Sequence, residues 1–234
     1  MRVGELRSAV EVVGERIERA RERAGSRGPV KVVAVTKGHG FEVVEAALEA
    51  GLRALGENRA PELAQKAALL EAAGRTGAVD WHLIGHLQRN KVKQALPLFE
   101  LIHSIDSERL ALELSKEAER AGREVTGLVQ VNTSGEAAKS GFERDAALDA
   151  VGRIAALPRL RIAGLMTMAP LTDDEAVLHA TFARARELFE RCAAIDGFQA
   201  RHLSMGMSND YEIAVEEGST MVRLGTILFG ERQR

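Results

Sequence analysis

Lys37 is the residue of this sequence best placed for covalent chemistry. It closes the segment VKVVAVTK (30–37), a nearly continuous apolar run typical of a buried strand. A lysine at such a place needs a partner or loses its charge, because desolvation favours the neutral amine. A neutral amine attacks an aldehyde and forms an imine. The position alone leaves a second interpretation open, in which the ammonium group reaches solvent from the end of the strand.

Two segments near the C-terminus, rich in small and hydroxyl-bearing residues, have the composition of an anion site. They are SMGMS (204–208) and RLGT (223–226). Glycine lets a backbone N–H group approach an anion closely, and hydroxyl groups add further donors. The expected donors are Ser204, Gly206, Ser208, Gly225 and Thr226. Either segment alone is consistent with a turn and a helix cap, but two of them after adjacent strands favour a phosphate site.

Arg223 is a charged residue within the last apolar run, two residues before Gly225. Its side chain is expected to point into the interior of a barrel formed by the strands, where a guanidinium that keeps its charge needs an acceptor. The nitrogen of a pyridine ring is one such acceptor, and sites for pyridoxal 5′-phosphate (PLP) use either an acid or an arginine there. Arginine leaves that nitrogen unprotonated, so the ring is a weaker electron sink. An ion pair between Arg223 and an inward carboxylate is the alternative.

The elements that must position these residues alternate along the chain. Short apolar runs predict strands, and the longer amphipathic segments between them predict helices. The strands are predicted at 30–37, 52–58, 79–85, 101–106, 124–132, 160–168, 200–206 and 219–226. The helices are predicted at 41–51, 61–74, from the third strand to about 95, 107–121, 144–157, 173–195 and 209–218. This alternation predicts a parallel sheet with right-handed crossovers.

The fold class predicted is α/β, a single (β/α)8 TIM barrel. Eight strands, each but the last followed by a helix, fit a barrel of 234 residues. An open, doubly wound sheet is the alternative. The whole of 1–234 is expected to form one domain, with 1–25 as an extra N-terminal helix packed on the barrel. Functional groups of such barrels gather where the strands end. That rule brings Lys37, Asn58 of the segment GEN and the two anion-binding segments to one end.

Composition and charge argue against several classes of partner. Lys and Arg number 32 against 34 Asp and Glu, a net charge of −2, which argues against a broad surface for nucleic acid or anionic membrane. No segment approaches the ~20 apolar residues that span a bilayer, and the N-terminus lacks the apolar stretch of a signal peptide. We therefore expect a cytoplasmic protein.

Two further residue types are expected to be structural. Cys192 is the single cysteine, and it is predicted to be a small buried residue of a helix because no activating base is evident nearby. His82 and His86 flank Gly85 at the end of a predicted strand, with no accompanying cysteine or carboxylate pattern. No metal site is predicted there.

Seven blocks of the sequence resemble one known family, the YggS/PROSC-type PLP homeostasis proteins, whose fold is similar to the N-terminal barrel of alanine racemase. The blocks are VAVTK, GEN, WHLIGHLQRNK, HSID, VNTSGEAAKSGF, GLMTM and LSMGMSNDYEIAVEEGSTMVRLGTILFG. They run nearly from end to end of the chain, and the last is long and highly specific. Tyr211 stands where methionine is common in the family, and it is expected to affect only the rim of the site.

The resemblance implies roles for individual residues. Lys37 matches the lysine that carries PLP as a Schiff base, and Asn58 matches the asparagine that lines the cofactor ring. The phosphate and the pyridine ring are implied to be held by Ser204, Gly206, Ser208, Arg223, Gly225 and Thr226.

The resemblance also implies a PLP carrier or regulator, without catalytic residues, rather than an enzyme. Alanine racemase adds a β domain that supplies a second acid/base group, whereas this sequence ends eight residues after Thr226. The implied partners are PLP and apo PLP-dependent enzymes, and a monomer is expected. A weak amino-acid racemase or lyase is the alternative. A barrel that binds a phosphate ligand without any covalent adduct is a third hypothesis.

Overall fold

The computed structural model describes residues 2–26, 28–135 and 140–231. Residues 136–139, which belong to the predicted block VNTSGEAAKSGF, lie outside the described residues.

Within the described residues, eight parallel strands close into a barrel. The strands are β1 Lys31–Val35, β2 Ala54–Glu57, β3 Asp80–Leu83, β4 Leu101–Ile105, β5 Val125–Asn132, β6 Leu160–Met166, β7 Phe198–Ser204 and β8 Met221–Leu224. Their order is β4-β3-β2-β1-β8-β7-β6-β5, and β4 also pairs with β5, which closes the ring. All of these pairings are parallel. The predicted (β/α)8 barrel is confirmed, and the open-sheet alternative is wrong.

Helices surround the barrel, and one more precedes it. They are α1 Val3–Arg23, α2 Phe41–Glu49, α3 Ala60–Ala72, α4 Val92–Ala95, α5 Glu108–Arg120, α6 Arg144–Ala155, α7 Glu175–Cys192, α8 Tyr211–Glu216 and α9 Thr226–Phe229. A 3₁₀ turn, Arg89–Lys91, precedes α4, and a two-residue strand, Phe142–Glu143, pairs with the end of β5. None of the helices in the described part of the chain combines the length and apolarity needed to cross a bilayer.

The structure corrects the prediction for the last strand. The segment 219–226 was predicted as one strand without a following helix, but β8 covers only Met221–Leu224 and α9 begins at Thr226. The chain turns at Gly225, and the backbone N–H groups of Gly225 and Ile227 donate to Ser208 Oγ at 3.3 and 3.4 Å. A serine side chain from the β7–α8 loop therefore accepts the backbone hydrogen bonds just beyond the end of β8.

The barrel interior holds both apolar and polar side chains. One apolar cluster draws on six of the strands and consists of Val33, Ala54, Leu101, Leu128, Ala163, Met166 and Met221. Polar residues from other positions of the strands are also buried, among them His82, His103, Ser204 and Arg223. A larger apolar cluster fills the space between the strands and the helices.

Helix α1 packs against the barrel shell. It buries Leu6, Val13, Ile17 and Ala20, whose spacing places them on one helical face. Beside this buried face, Arg16 reaches Glu212 and Arg23 reaches Glu216 of α8, at 3.5 and 2.6 Å. The helix therefore lies against the element that follows the predicted anion-binding segment SMGMS.

Candidate functional site

A cavity of about 290 Å³ lies at the carboxyl ends of the strands. Its volume is near the lower end of the roughly 300–1,000 Å³ typical of small-molecule sites. Six of the eight predicted site residues line it: Lys37, Asn58, Ser208, Arg223, Gly225 and Thr226. The structure therefore brings together Arg223 of β8 and residues that follow β1, β2, β7 and β8, up to 189 positions apart in the sequence (37 to 226).

Lys37 lies in the turn after β1 rather than at the end of the strand. The strand ends at Val35, Thr36 is buried, and Lys37 is partly buried. The turn is held by two hydrogen bonds, from Thr36 N to Gly56 O at 3.1 Å and from Gly38 N to Glu62 Oε1 at 2.6 Å. These bonds fix the backbone on both sides of Lys37.

A buried ion pair lies behind this turn. Lys66 Nζ is 2.6 Å from Glu57 Oε1 and also donates to Thr36 O at 2.8 Å. Thr36 Oγ1 donates to the same Glu57 oxygen at 2.6 Å. Burial raises the pKa of Glu57, while the hydrogen bond from Lys66 opposes that shift. Sequence reasoning missed this network, because Lys66 looks like any solvated lysine of an amphipathic helix.

The loop after β7 contributes the hydroxyl that faces Gly225. Gly206 has φ of +94°, and a Cβ there would lie 2.7 Å from the Cβ of Ala214, so only glycine fits. Met207 N then donates to Asp210 Oδ1 at 2.6 Å, which closes the loop before α8. Ser208 Oγ is thereby held where the two amides after β8 converge. Amides that converge on one oxygen position form the kind of concave donor site that binds anions.

Arg223 points into the barrel, as predicted, and is 5% exposed. Its guanidinium donates from Nη1 to Ser204 O and Oγ at 2.9 and 2.6 Å, and from Nη2 to Thr167 O at 2.9 Å. None of these acceptors is a carboxylate, so the ion-pair alternative is wrong for the described residues. Burial lowers the pKa of Arg223 to about 10, opposed by the charge of Asp210. The three bonds use three of five N–H donors, and the residue lines the cavity.

Asn58 follows β2 at the same rim. Its backbone packs so closely on Gly85 that a Cβ at Gly85 would lie 2.2 Å from Asn58 O. Glycine in the block WHLIGHLQRNK therefore allows the β3 end to pass beside Asn58. Ser104 Oγ holds the same segment by donating to Gly85 O at 2.6 Å.

Ser204 and Gly206 do not line the cavity. Ser204 is completely buried beneath it, and its hydroxyl is bonded to Arg223 and to His103. Gly206 shapes the loop and accepts a backbone bond from Arg223 N at 2.9 Å. Tyr211, expected at the rim, is 2% exposed and begins α8.

The histidines and the cysteine form no candidate metal site in the described part of the chain. His82 Nδ1 lies 2.8 Å from His103 Nε2, and His86 Nδ1 lies 2.7 Å from Asp106 Oδ2. Within the described residues no group of His, Cys, Asp or Glu could hold a metal ion. Cys192 is buried in α7, and desolvation raises the pKa of its thiol to about 11.

Comparison with known proteins identifies the family. The family profile described as alanine racemase, N-terminal domain, matches residues 11–233. A protein of Aquifex aeolicus (strain VF5) named pyridoxal phosphate homeostasis protein is 38% identical over 221 residues, or 94% of this chain and 95% of that protein. The chain belongs to the pyridoxal phosphate homeostasis protein family. The resemblance carried by the seven sequence blocks is thus confirmed.

Two solved structures share the fold of this chain. PipY from Synechococcus elongatus PCC7942, solved with PLP bound, is 35% identical, with a TM-score of 0.79 over 92% of this chain and all (100%) of that chain. Alanine racemase from Corynebacterium glutamicum shares the fold, with a TM-score of 0.73 at 16% identity over 98% of this chain and 62% of that chain.

Proposed function

We propose that this chain binds PLP at the carboxyl end of the barrel, holds it as a Schiff base on Lys37, and acts in PLP homeostasis as a carrier or regulator. PLP carries an aldehyde, a phosphate and a ring nitrogen, which require an amine, an anion site and a hydrogen-bond donor. One observation carries the proposal: Lys37, Ser208 with Gly225, and Arg223 line the same cavity. The PLP bound by the relative PipY supports it.

Each predicted contact has a defined part in this arrangement. Ser208, Gly225 and Thr226 hold the phosphate, Arg223 donates to the ring nitrogen, and Asn58 lines the ring from β2. Gly206 supports the phosphate loop through its left-handed backbone. Ser204 acts from below the cavity through its bond to Arg223.

The covalent step is a condensation. The lone pair of the Lys37 amine attacks the aldehyde carbon, a C=N bond forms, and the carbonyl oxygen leaves as water together with the two amine protons. No oxidant, reductant or metal takes part.

The composition of the cavity wall favours a carrier over an enzyme. Among the described residues that line it, the titratable side chains are Lys37, Asp210 and Arg223. Asp210 holds the amide of Met207, and Arg223 remains a donor only. Proton transfer on both faces of a bound amino acid needs two acid/base groups. The proposal extends to apo PLP-dependent enzymes as recipients of PLP and to a monomer in the cytoplasm.

Intact mass with and without borohydride reduction tests the adduct. Reduction after incubation with PLP is expected to fix one PLP on the peptide that contains Lys37. Lys37→Ala is expected to abolish both the fixed mass and the imine absorbance, while the exposed-lysine control Lys116→Ala keeps them. Arg223→Ala is expected to weaken retention without abolishing the adduct, because Lys37 remains. A wild-type mass unchanged by reduction contradicts the proposal.

Incubation with a panel of L- and D-amino acids tests the carrier role. No multiple turnovers of any substrate are expected. Sustained racemisation or elimination would replace the carrier with the weak racemase or lyase.

A further inference from the structure

Four polar side chains form a hydrogen-bonded chain across the barrel beneath the cavity. We call His82 of β3, His103 of β4, Ser204 of β7 and Arg223 of β8 the interior relay. The links are His82 Nδ1 to His103 Nε2 at 2.8 Å, His103 Nδ1 to Ser204 Oγ at 3.0 Å, and Arg223 Nη1 to Ser204 Oγ at 2.6 Å. All four residues are at most 5% exposed.

The direction of the relay follows from counting protons. Arg223 can only donate, so Ser204 Oγ accepts from it and retains one proton to give. Among the described residues, His103 Nδ1 is the acceptor within reach of that proton. His103 therefore carries its proton on Nε2 and donates it to His82 Nδ1. His82 then carries its proton on Nε2, a buried atom without a partner among the described residues.

The opposite direction is less favourable. A proton on His103 Nδ1 would point at Ser204 Oγ and leave the serine proton without an acceptor. His82 Nε2 would then also be an unpaired acceptor. Each buried polar group left without a partner costs free energy, because it has lost its hydrogen bonds to water and gained none. The first arrangement leaves one such group, and the second leaves two.

We infer that His103, backed by His82, is a positioning residue that orients Ser204 and, through it, the guanidinium of Arg223 toward the ring nitrogen of bound PLP. The inference rests on the proposed function. Histidines on β3 and β4, across the barrel interior from β8, thus set the orientation of Arg223. Neither histidine lines the cavity. Because the relay contains no acid, the ring nitrogen meets a hydrogen-bond donor rather than a source of protons.

The tautomers can be measured in the PLP-free protein by ¹⁵N NMR of the imidazole rings. Both His82 and His103 are expected to be neutral and protonated on Nε2 at pH 7. A proton on Nδ1 of His103, or an imidazolium form of either ring, would overturn the inference. This measurement does not depend on the cofactor.

A matched pair of substitutions tests the effect on PLP. His103→Asn keeps an acceptor at the Nδ1 position, whereas His103→Leu removes it. The Leu variant is expected to raise the PLP dissociation constant about tenfold, because a misplaced Arg223 loses its charged hydrogen bond to the ring nitrogen. The Asn variant is expected to stay within about threefold of the wild type. The pH profile of the bound PLP absorbance is expected to change in the Leu variant and to be restored in the Asn variant.

Controls separate positioning from general destabilisation. Leu114→Ala opens a cavity outside the barrel interior, and it is expected to lower stability without changing either PLP readout. Ser204→Ala removes the middle link and is expected to behave like His103→Leu, so it replaces that variant if Leu is not folded. Wild-type PLP affinity in both Ser204→Ala and His103→Leu would overturn the inference. Equal losses of PLP affinity in His103→Asn and His103→Leu would overturn it as well.

The two proposals fail differently. If borohydride fixes no PLP on wild-type Lys37, the proposed function is wrong. If wild-type Lys37 is labelled but the relay variants bind PLP as the wild type does, only the positioning role of His103 is wrong.

Discussion

At the scale of single residues, burial changes the pKa values of the two histidines inside the barrel. Desolvation lowers the pKa of His82 to about 3 and that of His103 well below its usual value, and the positive charges of nearby groups act in the same direction. Lys31 and His202 act on both rings in this way, and Arg223 acts on His103. Both rings therefore stay neutral in the folded protein at pH values where exposed histidines are charged.

Stability is expected to fall as the pH is lowered from 7 to 5.5. The unfolded chain binds protons on these rings near pH 6.5, and the folded protein binds one on His82 only near pH 3. Between those values the unfolded state holds more protons, so acid favours unfolding by up to about 1.4 kcal/mol per pH unit for each histidine. Urea unfolding at both pH values measures the slope, and His82→Phe is expected to reduce it. A free energy of unfolding that does not change over this range would contradict the prediction.

At the scale of elements, the short segments after the strands carry the site. Each is fixed by an element distant in sequence: the β1 turn by α3, and the end of β8 by the β7–α8 loop. The ion pair between Lys66 and Glu57 is the more buried of these connections, since both side chains are at most 5% exposed and the Ser208 contact is only partly buried.

Lys66→Met is expected to destabilise the protein by about 3–5 kcal/mol, because it leaves the Glu57 carboxylate buried without its cation. The double variant Lys66→Met/Glu57→Gln is expected to lose less than the sum of the single changes, with a coupling of about 0.5–3 kcal/mol. Urea unfolding of the four proteins measures this cycle. Lys116→Met, whose pair with Glu113 is exposed, is the control and should change stability by less than about 0.5 kcal/mol. A similarly small effect of Lys66→Met would show that the pair is not a structural connection.

Sequence patterns predicted the elements better than the contacts between them. The apolar runs predicted all eight strands because most strand residues are buried on both faces of the sheet. Helix α9 was missed because four residues carry no helical periodicity. Lys37 and Arg223 were identifiable as charges within or beside apolar runs. The same signal existed for His82 in WHL, His103 in LIHSI and Ser204 in HLS. Their contacts depend on closure of the barrel. It brings His103 next to His82, 21 positions earlier in the sequence, and next to Ser204, 101 positions later.

At the scale of the whole molecule, the barrel and α1 share one apolar core. The buried face of α1 belongs to the same cluster as the residues between the strands and their helices. Ion pairs with α8 add surface contacts, which contribute little by themselves. We therefore propose that α1 and the barrel unfold together as one domain.

Leu6→Ala is expected to lower stability by about 2–5 kcal/mol, since Leu6 is fully buried in α1. The helical circular dichroism and the fluorescence of Trp81, the single tryptophan, should report the same shifted unfolding midpoint. Val12→Ala, an exposed position of the same helix, serves as the control. Loss of helical signal before the Trp81 transition would show that α1 unfolds separately.

The burial of Cys192 allows ligand binding to be followed with a fluorophore attached at one chosen site. The chain's single thiol is inaccessible, and its raised pKa keeps it protonated and unreactive toward alkylating dyes at neutral pH. Leu171 lies at the cavity mouth and is 95% exposed. A Leu171→Cys variant would therefore take up one fluorophore at the cavity entrance without removal of the native cysteine. Its fluorescence would report ligand binding at that entrance.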